Sequence, residues 1–225
     1  MKPLDNVYNM DMPSSGSPSQ GDDFNAVGSN TIVYPVGAGL YINITNRCPC
    51  DCVFCIRKLS EGMNPGESLW LNHEPSIGEI KEAIGQVDFK QFDEVVFCGY
   101  GEPTERLEEL VETAKYIRGL THLPIRLNTN GLSDLINERK TAQLIAGYID
   151  RVSISLNAPD PETYVRLCSP VFGEAAYFAM LQFAKESIGY INDVTLSVVD
   201  GLSSGQIEEC KAICHKMGAK FRIRG

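Results

Sequence analysis

Four of the chain's eight cysteines fall within residues 48–55, in the run Cys48-Pro49-Cys50-Asp51-Cys52-Val53-Phe54-Cys55. Read as C-x3-C-x2-C, the run selects Cys48, Cys52 and Cys55. Three thiolates on one short loop leave one iron of a cubane iron–sulfur cluster without a protein ligand, and a small molecule can chelate that iron. The alternative is a zinc knot that uses Cys48, Cys50, Cys52 and Cys55. Four ligands this close in sequence are cramped for a tetrahedral ion and lack the usual paired spacing. The spacing favours the cluster and leaves zinc open.

The composition narrows the partners. The 225 residues carry a net charge of −9, a balance that argues against a nucleic-acid backbone, which needs a surplus of Lys and Arg on one face. No apolar run approaches the roughly 18 residues of a membrane-spanning helix. The first 30 residues lack the basic and apolar regions of a secretory signal. Clustered cysteines in such a chain point to metal binding rather than disulfides, and to a reducing cytoplasm.

The cysteine loop needs elements to position it. Residues 1–30 are rich in Ser, Gly, Pro, Asn and Asp without periodicity, which predicts a disordered tail; residues 31–225 form the domain. Strand-like runs cover 40–45, 94–98, 125–128, 151–156, 194–199 and 220–223. Helical runs cover 77–87, 105–117, 134–145, 175–188 and 204–217. This alternation implies parallel βαβ units. Val152, Ile154 and Leu156 alternate with Ser153, Ser155 and Asn157, and Val194, Leu196 and Val198 with Thr195 and Ser197. One apolar and one polar face predict an α/β partial (β/α)6 barrel, with outer helices over the apolar side and a polar cavity inside. On the last strand the same period sends Arg222 and Arg224 into the cavity, opposite Phe221 and Ile223, to meet an anionic group.

With these pieces in place the sequence resembles the radical SAM superfamily. C-x3-C-x-aromatic-C follows the first parallel strand, and Gly99-Tyr100-Gly101-Glu102-Pro103 looks like the family's GGEP motif with Tyr100 in place of a glycine. Arg126-Leu127-Asn128-Thr129-Asn130-Gly131 carries its TNG element, and Ser155 and Asn157 end the fourth parallel strand. The resemblance implies a [4Fe–4S] cluster on Cys48, Cys52 and Cys55, and S-adenosylmethionine (SAM) bound by Phe54, Gly99, Tyr100, Gly101, Glu102, Asn128, Ser155 and Asn157. Glycine at 99 and 101 is expected so that the backbone can approach SAM without a Cβ. It further implies an electron from flavodoxin or ferredoxin, and a 5′-deoxyadenosyl radical that takes hydrogen from a substrate. That substrate is a small molecule, an RNA base or a protein loop, the last as in an activase that makes a glycyl radical on a partner. A non-catalytic metal-binding module is the alternative from another class. The stretches INITNRCPCDCVFCIRK, FCGYGEP, RLNTNGL and SISLNAPDPETYVRLCSP are similar to the TatD family-associated radical SAM proteins. Cys98, Cys168, Cys210 and Cys214 are expected as buried small hydrophobes, Cys50 as a bystander, and His73 and His122 as loop residues without partners.

Overall fold

The computed structural model describes residues 30–59 and 68–224. The expected tail therefore lies outside the described residues, except for Asn30, whose amide accepts from Asn72 N at 2.6 Å and donates to His73 O at 3.1 Å.

Among the described residues seven strands form one sheet in the order of the chain: β1 (Val33–Val36), β2 (Gly39–Ile42), β3 (Glu94–Phe97), β4 (Ile125–Thr129), β5 (Arg151–Ser155), β6 (Asp193–Val199) and β7 (Lys220–Arg224). The six from β2 to β7 are parallel, as the alternation predicts. β1 is an addition: it pairs antiparallel with β2 through a tight turn in which Gly37 takes φ 57°, a conformation that favours glycine. The sheet stays open, ending at β1 and β7.

Among the described residues eight helices connect the strands: α1 (Ile56–Leu59), α2 (Ile77–Gly85), α3 (Leu107–Arg118), α4 (Ser133–Ile136), α5 (Ala142–Ala146), α6 (Pro161–Cys168), α7 (Ala175–Tyr190) and α8 (Ser204–Met217). Alternate strand residues pack under them: Val95 and Phe97, Ile125 and Leu127, Val152 and Ile154, Leu196 and Val198 are fully buried or nearly so. They join Ile80 and Ile84 of α2, Leu110, Ala114 and Ile117 of α3, and Met180 and Phe183 of α7 in one core. Cys210 and Cys214 belong to it as expected. At about 25 cal/mol per Å² of apolar area removed from water, this face is the main driving force for folding.

Three helix expectations need correction. The 105–117 run begins its α-helix only at Leu107, because Pro103–Arg106 winds as a tighter 3-10 turn whose Thr104 N is capped by the Glu102 carboxylate at 3.2 Å. The 134–145 run splits into α4 and α5. Asp134 Oδ1 takes Thr141 N at 2.9 Å and Thr141 Oγ1 at 2.8 Å, and Glu138 sits at φ 51°, so the chain loops out between them. α6 was not expected; Asp160 caps it by accepting from Thr163 N at 2.8 Å, and Pro161 opens its first turn. Among the described residues no helix is long and apolar enough to cross a membrane.

Candidate functional site

The cysteine loop leaves the carboxyl end of β2 and is strapped to the far end of α6. Asp51 N donates to Cys168 O at 3.1 Å, Val53 N to Leu167 O at 2.9 Å, and Val171 N to Pro49 O at 2.9 Å; Cys50 forms an isolated bridge with Pro170. Cys55 N closes a turn on Cys52 O at 3.1 Å. These straps leave Cys48, Cys52 and Cys55 half-buried, while Cys50 is turned into the core. The Cys50 thiol nonetheless stays within hydrogen-bond reach of Cys48 and Cys52.

The thiols divide into two groups. The Cys48 thiol is held below its usual pKa, chiefly by a hydrogen bond from Cys50, and the Cys52 thiol is lowered chiefly by a hydrogen bond from Cys168. Cys50 and Cys168 are pushed up in return, and burial adds to both. Thiolate character therefore gathers on two of the three expected ligands and proton-holding on the others. Cys168 is more than the buried small hydrophobe expected of it: it lies beside Cys52 and receives Asn157 Nδ2 at 3.5 Å. Arg57 reaches back with Nε to Cys55 Sγ at 3.3 Å and Nη2 to Cys50 O at 2.9 Å, placing positive charge against the loop.

The half-buried thiols supply the donor chemistry that a cubane cluster takes, with thiolates on separate irons. Among the described residues no group of three Cys, His, Asp or Glu side chains is placed to hold a single metal ion.

The Gly99–Glu102 turn packs against this loop from the next strand. Glu102 N donates to Arg47 O at 2.7 Å. A Cβ on Gly101 would lie 2.3 Å from Thr45 O, and one on Gly99 would lie 2.0 Å from Asn43 Oδ1. Both glycines thus have a close approach of their own to the β2 strand and loop, beside the one expected toward SAM. Tyr100 is likewise buried, edge-on to Trp70 at 5.2 Å, rather than lining the cavity.

Glu102 is the strap between motifs. Its carboxylate accepts from Thr104 Oγ1 at 2.8 Å, Thr129 Oγ1 at 2.7 Å and Asn130 N at 2.7 Å. Burial raises its pKa and these donors oppose the rise. Sequence reasoning missed this role; the signal was a lone acid preceding Pro103 and a TNG element in the next βα unit.

The polar strand face opens into a cavity of about 180 Å³, walled by Gly101, Glu102, Asn128 and Ser155 among the expected residues and by Cys98, Thr129, Asn130, Ser153, Arg222 and Arg224 besides. Cys98 is therefore a wall residue, another departure from the buried-hydrophobe expectation. Phe54, Gly99, Tyr100 and Asn157 are not part of this wall. Phe54 packs on the core. Asn157, at φ 57°, spends its amide on protein: Nδ2 on Cys168, and Oδ1 on Arg224 Nη2 at 2.6 Å. Asn157 thus bridges Cys168 and Arg224 within the protein.

Arg222 and Arg224 face inward as the period predicts, level with Ser197 and Val199 of β6. Arg222 also lines a second cavity of about 220 Å³ deeper in the sheet, shared with Ser153. His73, expected without partners, pairs with Glu79 at 2.7 Å.

Residues 42–211 match the model of the family described as "Radical SAM superfamily". A probable GTP 3',8-cyclase of Thermococcus kodakarensis is 29% identical over 82% of this chain and 55% of its own length. That of Methanothermobacter thermautotrophicus is 23% identical over 82% and 56%. The chain thus spans little more than half the length of these curated relatives. Among solved structures, a radical SAM methyltransferase from Sphaerobacter thermophilus superposes with a TM-score of 0.60 at 16% identity, covering 85% of this chain and 57% of that one. Streptococcus suis SuiB bound to S-adenosylmethionine gives 0.60 at 19%, covering 83% and 38%. At these identities the structural likeness concerns the fold.

Proposed function

Because the chain belongs to the radical SAM superfamily, we propose that Cys48, Cys52 and Cys55 hold a [4Fe–4S] cluster and that the adjoining cavity binds SAM for one-electron cleavage. The observation that supports this reading is a loop of three half-buried thiols, with Cys48 Sγ 4.0 Å from the amide of Asn130, and Asn130 itself in the wall of a polar cavity with Gly101, Asn128 and Ser155 at the carboxyl ends of parallel strands, where such folds bind ligands. The bound group supplies reductive cleavage of the sulfonium, with an electron from flavodoxin or ferredoxin, and a 5′-deoxyadenosyl radical that takes hydrogen from the substrate.

The protein's own part is positioning. The α6 straps fix the cysteine loop, and Glu102 ties the turn after β3 to the turn after β4, so three loops move as one body. Arg57 sets a guanidinium against the cysteine loop by donating to the Cys55 sulfur. Ser153 and Ser155 offer hydroxyls along the wall. The similarity of four sequence stretches to the TatD family-associated radical SAM proteins is part of this proposal, and the substrate is a small molecule, RNA base or protein loop.

The test is anaerobic reconstitution followed by dithionite and SAM. The reading expects about four irons and four sulfides per chain and release of 5′-deoxyadenosine. Cys48→Ala, Cys52→Ala and Cys55→Ala should each abolish that release, and Cys50→Ala should retain it. Loss of the cluster in Cys50→Ala with retention in Cys48→Ala would overturn the ligand assignment.

A further inference from the structure

The inner face of the sheet separates into a floor laced with ion pairs and a mouth with fewer carboxylates to spare. At the floor, among the described residues, Arg126, Arg151 and Lys220 share the carboxylates of Glu94 and Asp193, and Arg222 is left over. Arg126 pairs with Glu94 at 2.7 Å, Arg151 with Glu94 at 3.4 Å and Asp193 at 3.8 Å, and Lys220 with Asp193 at 2.9 Å. At the mouth the only acid in the wall among the described residues is Glu102, and its oxygens are taken by Thr104, Thr129 and Asn130. The Arg222 side chain makes no hydrogen bond or ion pair among the described residues, while its backbone lies in the β6–β7 ladder. Arg224 gives one nitrogen to Asn157, and its Nε is buried without a partner. The proton affinity of Arg224 is lowered by burial first and then by Arg222 beside it.

We propose that Arg222 and Arg224 form a subsite for one oxyanion, a carboxylate or phosphate, carried by the molecule that enters the cavity. The inference rests on the reading of the cavity as the SAM-cleaving site and names the charge its occupant must bring there. Two like charges share one strand face, two residues apart, and an unpaired buried donor is costly. An oxyanion placed between them satisfies the Arg224 Nε, relieves the repulsion and matches the guanidinium fork. Because Arg222 also lines the deeper cavity, the anion can belong to a substrate lying below SAM or to the carboxylate of SAM itself.

The test uses the reconstituted chain with inorganic phosphate, S-adenosylhomocysteine and 5′-methylthioadenosine as probes, read by calorimetry. A substrate anion is indicated when phosphate binds in the presence of saturating S-adenosylhomocysteine and Arg222→Gln or Arg224→Gln weakens it by on the order of tenfold or more. The SAM carboxylate is indicated when the same variants weaken S-adenosylhomocysteine by that factor and leave 5′-methylthioadenosine, which lacks the carboxylate, unchanged. Unchanged affinity for both anions in both variants overturns the proposal. A wild-type arm guards against misfolded variants: phosphate or S-adenosylhomocysteine should slow phenylglyoxal labelling of Arg222, scored by mass spectrometry. Equal labelling with and without both probes also overturns it. Iron and sulfide content, measured in parallel, separates failure of the subsite from failure of the cluster assignment.

Discussion

A methyl group on Gly101 would place its Cβ 2.3 Å from Thr45 O and 2.7 Å from Arg47 O. Both obstacles are backbone, so neither can rotate away, and the turn must lift off the loop that carries Cys48. Gly101→Ala is expected to lower the unfolding free energy by about 1–3 kcal/mol, as overpacking does, and to weaken cluster retention together with SAM binding. Gly205→Ala is the control: its Cβ meets nothing within 4 Å, and in the first turn of α8 alanine should be neutral or stabilising by up to about 1 kcal/mol. Denaturant titration with iron analysis checks both; a Gly101→Ala protein with full stability and full iron content would return the glycine to a ligand role. The glycine itself was legible in the sequence. Its reason was not, because the sequence motif does not reveal which backbone lies against it. Cys168 was obscured in the same way: 116 positions separate it from Cys52 in numbering, and only the strapping of the loop to α6 brings the two sulfurs together.

At the scale of elements, local rules decided what could be read. α8 was foreseen over its whole length because Ser203 and Gln206 form a capping box and Gly218, at φ 78°, ends it. α4 and α5 were merged because the bond from Thr141 to Asp134 that parts them is a side-chain tertiary contact inside an otherwise periodic run. The start of α2 adds a pH-dependent element. Glu79 accepts from Ser76 N at 2.8 Å and Ser76 Oγ at 2.7 Å, and pairs with His73, so its pKa falls from 4.5 to about 2, Ser76 being the larger cause. A carboxyl group with a lowered folded-state pKa contributes stability above its unfolded value, here 4.5, and loses it as pH falls through about 2. Carbon-13 titration of the Glu79 carboxyl should therefore show a midpoint near 2, moving toward 4.5 in Ser76→Ala. A wild-type midpoint near 4.5 would mean that the capping box is open in solution.

For the whole molecule, the period of two residues carried the architecture. Alternation on β5, β6 and β7 revealed that one face is polar, and an open sheet of parallel strands follows from that asymmetry. The antiparallel β1 escaped because Tyr34-Pro35 interrupts any regular alternation, and proline is tolerated where it stands only because β1 is an edge. The same openness makes the two ends of the sheet unequal to its centre. β4 and β5 have strands on both sides and helices above them, with Leu127, Ile154 and their neighbours fully buried. β7 pairs only with β6, and its apolar face is thinly covered, Ile223 being 43% exposed. Its free edge leaves half of its amides without ladder partners, and those bonded to β6 can open by local detachment rather than global unfolding. Hydrogen exchange should accordingly find the amides of β7 exchanging on the order of tenfold or more faster than those of β4 and β5. An oxyanion held between Arg222 and Arg224 would add to the bond that Arg224 already gives Asn157 and hold β7 more firmly, so phosphate should slow exchange in β7 and leave β4 unchanged. Protection of β7 equal to that of β5 without any anion would show instead that another surface covers this edge, and the cavity mouth would then be set by that contact.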